Sequence, residues 1–269
     1  MTAVSDDPRL ARLLEHPAVW RGRSAARFNA VPTGFPALDA ALPGGGWPQT
    51  GLVEILISRI GIGELYLLLP ALASLTSQAQ ARWCAWIAPA DPFAERSGGA
   101  RSEGGARSEG SARSEGARAA GDGRRPCRLE PFGPALAAHG VTLSRVLVVR
   151  TGSRSAGTLP DRALPGRTRE TPLWACEQAL RSGACDAAVA WVQRVPVRAL
   201  RRLQLATERG RTLAFLFRGL STRAVREPSA AALRLALQPV RERTRITVLK
   251  SRSSLRGAID LSLHGTCEG

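Results

Sequence analysis

Residues 58–65 read Ser-Arg-Ile-Gly-Ile-Gly-Glu-Leu, between a short apolar run and a stretch with helical spacing. An α/β chain builds a phosphate-binding loop at such a junction. A working loop has the pattern G-x-x-x-x-G-K-[ST]. Its glycines let backbone N–H groups curl around phosphate, its lysine reaches the β and γ phosphates, and its hydroxyl helps hold Mg²⁺. In the closest register Ser58 replaces the first glycine and Gly63 keeps the second, while Glu64 stands in place of lysine and Leu65 in place of the hydroxyl. A carboxylate about 4 Å from a phosphate charge opposes it by roughly 4 kcal/mol at an effective dielectric of about 20. No nearby lysine can substitute, because Lys250 is the only one in the chain. Nucleotide hydrolysis also needs an acid at the end of a later strand to position Mg²⁺ and water. The run Ala187 to Val192 ends instead in Gln193, and Asp186 sits at its other end, where a turn or cap role is expected. A degenerate P-loop (Ser58, Gly63, Glu64, Leu65) is therefore expected, with no nucleotide, no other cofactor, no metal and no catalytic residue.

Other chemistry is sparse. His16, His139 and His264 are scattered, and neither G-x-S-x-G nor H-E-x-x-H occurs. Cys84, Cys127, Cys176, Cys185 and Cys267 form no C-x-x-C pair and read as isolated reduced thiols. The formal charge of +16 suits a polyanion such as DNA. Compositional bias explains it equally, since almost every basic residue is arginine in an Ala-rich and Gly-rich chain.

Positioning these residues takes an α/β scaffold. Apolar runs at 52–57, 83–88, 145–149, 187–192 and 212–217 alternate with helical spacing at 64–76, 172–182 and 196–209. That alternation predicts a mainly parallel sheet flanked by helices. After Pro228, residues 231–237, a break at Gln238 and Pro239, and the alternating run 245–250 predict an antiparallel edge. Residues 1–29 form an N-terminal arm with an amphipathic helix at 6–15, residues 30–256 the core, and residues 257–269 a mobile tail. The core is interrupted at about 95–126, where A-R-S-E-G-G, A-R-S-E-G-S and A-R-S-E-G-A follow one another from Ala100 to Ala117. With no aliphatic residue to bury, that segment is expected to be disordered. A second long loop is expected at 151–170. No basic leader or membrane-length apolar run appears, so a cytoplasmic location is expected.

If the scaffold keeps a DNA surface, it should lie at the carboxyl ends of its strands. The candidate phosphate contacts are Arg218, Arg223 and Arg226 after the run 212–217, with Arg198, Arg201 and Arg202 on the helix at 196–209, where Arg209 also lies. A solvated face opposite Val197, Leu200 and Leu203 also accounts for the helical arginines.

The stretch from Val31 to Pro70 resembles the entry to a RecA-type ATPase core. Thr33, Gly34, Leu38 and Asp39 match a T-G-x-x-x-L-D segment, Gly44 to Gly46 a Gly-rich turn, and Glu54 with Ile55 the strand before the loop. With PGGGWP (43–48), GIGEL (61–65), LLLPALA (67–73), WCAWIAPADPF (83–93), EQALRSGACDAAVAW (177–191), RALRRLQLATERG (198–210), LRLALQPV and ITVLKSR (233–252), the chain resembles the ImuA family. The resemblance implies a RecA-like fold and a non-catalytic accessory role in SOS-induced translesion DNA synthesis. The implied partners are an ImuB-type Y-family polymerase homologue and an error-prone replicative-type polymerase, with RecA and DNA as further candidates. Lys250 and Arg252 fall where RecA-type filaments reach a neighbour's nucleotide, although a strand-end salt bridge also suits Lys250. The middle of the chain, from WCAWIAP through RSGACDAAVAW to LAFLFR, also resembles SulA, which implies a division inhibitor binding FtsZ as the alternative.

Overall fold

Gly51–Ile57 carries one polar residue among apolar ones, and it forms a strand buried along its whole length. The computed structural model describes residues 30–89, 130–151, 171–192, 195–251 and 257–263. The expected N-terminal helix, the A-R-S-E-G repeat, the second long loop beyond Thr151, Gln193, Arg252, His16, His264, Cys127 and Cys267 all lie outside the described residues.

In chain order the elements are β1 (Ala30–Val31), α1 (Pro36–Ala41), β2 (Trp47–Pro48), β3 (Gly51–Ile57), α2 (Leu69–Thr76), β4 (Trp83–Pro89), α3 (Gly133–Ala138), β5 (Val146–Thr151), α4 (Pro172–Arg181), β6 (Cys185–Trp191), α5 (Val197–Gly210), β7 (Leu213–Gly219), α6 (Thr222–Arg226), β8 (Leu233–Val240), β9 (Arg243–Lys250) and β10 (Ala258–Leu261). The main sheet has eight strands in the order β10-β9-β8-β3-β7-β6-β4-β5. Pairing is parallel from β8 through to β5, and antiparallel between β8 and β9 and between β9 and β10. The chain is thus an α/β protein with a mixed, mostly parallel sheet flanked by helices.

The two faces of β3 differ. Val53, Ile55 and Ile57 join Trp47, Leu67, Leu68, Leu72, Phe215 and Phe217 in one core. Leu52 lies in a second core with Ala188, Ala190, Ala214 and Leu216, together with Cys176 and Leu180 of α4 and Leu200 and Leu203 of α5. Alanines on the strands allow these helices to approach closely. Gly210 is where the approach is tightest, since a Cβ there would lie 1.8 Å from the Leu180 carbonyl oxygen.

Arg82 gathers the amino-terminal ends of the strands. Its Nε and backbone N–H donate to Asp186 at 2.7 and 2.6 Å, and its Nη atoms donate to the carbonyls of Gly183, Gly210 and Arg211 at 2.7, 2.9 and 2.7 Å. Asp186 is thus the second residue of β6, at the amino-terminal end of the sheet and far from the carboxyl ends, and it anchors Arg82 from within the strand rather than from a turn.

Three expectations need correction. The helix expected from residue 64 begins at Leu69, because Glu64 to Leu68 form successive turns and Pro70 sits in the first helical turn. Gln238 and Pro239 do not break the chain. Pro239 pairs only with Thr244 of β9, beyond Leu237, where the pairing with β3 ends, so its missing N–H costs no bond to β3. The segment read as a tail contributes β10, which covers β9 at the sheet edge.

Candidate functional site

In open α/β sheets, ligands gather at the carboxyl ends of strands. Here that end carries the turn after β3, the entry to α5 and the loop after β7. In the turn, Gly61 and Gly63 take φ of 82° and 88°, a left-handed geometry that side chains resist. The Glu64 side chain folds back beneath them. Its carboxylate accepts from the Gly61 N–H at 3.0 Å and from the Ile62 N–H at 2.9 Å, and the residue is only 3% exposed. The turn is also held from outside. The Thr244 hydroxyl donates to the Ile62 carbonyl at 2.9 Å, and a Cβ on Gly63 would lie 2.7 Å from that of Leu263. Ser58 is exposed and Leu65 half-buried.

The segment leading into β3 is structural in detail. Asp39 accepts from the Thr33 N–H at 2.9 Å, and Leu38 is fully buried. Gly34, at φ 84°, lies against Pro70 of α2, where a Cβ would come within 2.5 Å. Gly46 has Val31 directly over it, a Cβ there falling 2.3 Å from the Val31 carbonyl oxygen. Thr33, Gly34, Leu38, Asp39 and Gly46 therefore help fix the β1–β2 pair and α1, whereas a Cβ on Gly45 would meet nothing within 4 Å.

Between β3 and the loop after β7 lies an ionic cluster. Glu54 is 0% exposed, and its carboxylate meets the guanidinium groups of Arg218 on β7 and Arg234 on β8, the latter at 2.9 Å. Arg218 also reaches Glu227 at 3.5 Å. Arg234 donates to the carbonyls of Val225 and Glu227 at 3.1 and 2.9 Å and to that of Ala224. One buried carboxylate thus holds two arginines that between them cap α6 and anchor the loop carrying Arg223 and Arg226. The Arg218 Nε has no hydrogen-bond partner among the described residues, and the Arg234 contact with Glu54 lacks hydrogen-bond geometry.

This removes Arg218 from the candidate DNA contacts. At 4% exposure and bound to Glu54, its guanidinium cannot reach a phosphate outside. Arg223 is exposed but paired with Glu227 at 2.8 Å. Arg202 is exposed and paired with Glu177, which raises its pKa through their hydrogen bond and charge attraction. Arg198, Arg201 and Arg226 are exposed, with no ion-pair partner among the described residues. Topology places the start of α5 and the loop after β7 at the same end of the sheet as the Gly61–Glu64 turn.

Lys250 donates to the Ser229 carbonyl at 2.6 Å. His139 packs edge-on against Tyr66, ring centroids 5.2 Å apart, beside a groove of about 300 Å³ that Phe35, Leu69, Pro70 and Leu263 also line. Cys84, Cys176 and Cys185 are free and buried, and burial pushes the first two thiols up to about 12. Among the described residues, no group of three or more His, Cys, Asp or Glu is placed to hold a metal ion, and no helix is long and apolar enough to cross a membrane.

The sequence pattern locates the Gly61–Glu64 turn but misses the ionic cluster. A lone glutamate in LVEILI was its signal, because a carboxylate inside a doubly buried strand must find cations on neighbouring strands.

The fold and this end of the sheet define a general α/β protein with a self-filled turn after its first core strand. No protein-family model and no curated protein matches the chain. Among solved structures, SulA from Pseudomonas aeruginosa is similar over 62% of this chain and 98% of its own, at 18% identity and a TM-score of 0.35.

Proposed function

We propose that this chain is a RecA-like accessory protein of the ImuA type, without enzyme activity, that supports SOS-induced translesion DNA synthesis through protein contacts. The observation that carries the non-catalytic reading is the Glu64 carboxylate. It takes the backbone donors of Gly61 and Ile62, which a nucleotide-binding loop reserves for phosphate, so the degenerate P-loop is filled by the chain itself. Support for the ImuA reading comes from the sequence, whose resembling segments build β3, β4, β6, α5, β8 and β9. The partners are an ImuB-type polymerase homologue and an error-prone replicative-type polymerase, with RecA and DNA as further candidates. Arg198, Arg201, Arg226 and the paired Arg202 and Arg223 are the residues offered to DNA. The location is cytoplasmic.

A SulA-like division inhibitor is the second reading. The segments that carry it form β4, β6 and β7, which are neighbours in the sheet.

Pull-downs of the purified chain with the polymerase homologue, RecA and FtsZ from the same cell, each with and without DNA, separate the two. Capture of the polymerase homologue or RecA is the expected result, and capture of FtsZ alone would replace the first reading with the second. Micromolar ATP binding or turnover above contamination would overturn the non-catalytic assignment.

A further inference from the structure

The turn between β3 and α2 has every feature of a loop shaped around an oxyanion. Two of its glycines are left-handed, two of its N–H groups converge on carboxylate oxygens at 2.9 to 3.0 Å, and the acceptor is almost wholly buried. Converging backbone donors are geometrically costly, because they repel one another unless a negative acceptor sits between them. The acceptor belongs to Glu64 of the same chain, and Thr244 and Leu263 hold the outer side of the turn.

We propose that Glu64 is a resident oxyanion for this turn: its carboxylate takes the position of an external anion and keeps the loop in its filled shape with nothing bound. A protein docking at this end of the sheet then meets one fixed surface, ungated by nucleotide. Glu64 is here a positioning residue, and the claim is independent of which partner docks.

The test is chemical rescue in the full-length protein. Wild type and Glu64→Ala are melted in sodium formate, in inorganic phosphate and in sodium chloride at matched ionic strength. Glu64→Ala is expected to melt lower than wild type in chloride, and formate and phosphate are expected to recover much of that deficit saturably. Comparing the variant with wild type in each salt cancels general salt effects on so basic a chain. An equal deficit in all three salts, or no deficit, overturns the proposal.

If Glu64→Ala does not fold, Glu64→Gln provides a second reading by amide hydrogen exchange. The Gly61 and Ile62 amides should exchange at least tenfold faster than in wild type, while the amides of β3 keep their rates. Unchanged protection at Gly61 and Ile62 overturns the proposal. The inference rests on the non-catalytic reading, which the same carboxylate carries, but neither result depends on ATP binding or on which protein is captured in a pull-down, so the two fail in different experiments.

Discussion

Glu54 and Glu64 are buried carboxylates ten residues apart, and they solve the same problem differently. Glu64 finds backbone donors within three residues of itself. Glu54 has only apolar neighbours along its own strand and must draw Arg218 and Arg234 from strands on either side. Removing one member of a buried ion pair leaves an uncompensated charge, which costs about 3–5 kcal/mol. Glu54→Leu should therefore lower the free energy of unfolding, read from urea titration, by an amount of that size, since two arginines would remain buried without an anion. Arg223→Ala, on an exposed and solvent-screened pair, should leave it nearly unchanged. Similar shifts for both variants in equilibrium urea unfolding would show that the cluster does not stabilise the fold. Local patterning shows the lone glutamate but not which cations it meets, because the members are 164 and 16 residues apart and come together only once β3 has settled between β7 and β8.

At the scale of elements, the sequence was legible wherever periodicity alone decides. The buried strands and the helices α4 and α5 fall within a few residues of their expected positions. The misses share a cause, which is that tertiary pairing overrode local signals. Gln238 and Pro239 look like a break, yet β8 runs through them because its β3 partners end at Leu237. Residues 258–261 are too short a run to announce a strand on their own, yet β9 offers an edge for them. Arg245 fixes that edge, its Nε and Nη2 donating to Asp260 at 2.7 and 2.8 Å. The hydrogen bond from Arg245, followed by the attraction of Arg245 and Arg243, holds the Asp260 carboxyl below its ordinary range. A carboxylate so depressed adds stability that is present above its unfolded pKa and is lost as pH falls through its folded pKa. Protection factors across β10 should therefore hold above pH about 4, where an ordinary aspartate titrates, and decline as pH falls below it through the depressed folded pKa. Asp260→Asn should remove that step. A wild-type profile that breaks above pH about 4 would show that another group controls the strand.

At the scale of the whole molecule, the candidate site was half legible. The turn at 58–65 and the arginine-bearing loop were visible in the residues, and the structure brings both to the carboxyl ends of the sheet. What could not be read was burial, and burial decides which arginine remains available: Arg218 is committed to Glu54, while Arg198, Arg201 and Arg226 face outward.

The placement of β4 and β5 as adjacent parallel strands at one margin of the sheet has a further consequence for the chain that joins them. Closing a connection costs free energy that grows only with the logarithm of its length, so each doubling adds about 0.6 kcal/mol. Residues 100–117 are eighteen of the forty between Pro89 and Glu130. Deleting them should raise stability by roughly half a kcal/mol or less, a change of no more than a degree or two in Tm. A loss of several degrees would mean that the repeat contacts the fold. At so low an expected cost, adding or removing a whole six-residue A-R-S-E-G unit should leave β4 and β5 paired in the same register, so the length of this connection and the order of the sheet margin are separable properties of the chain.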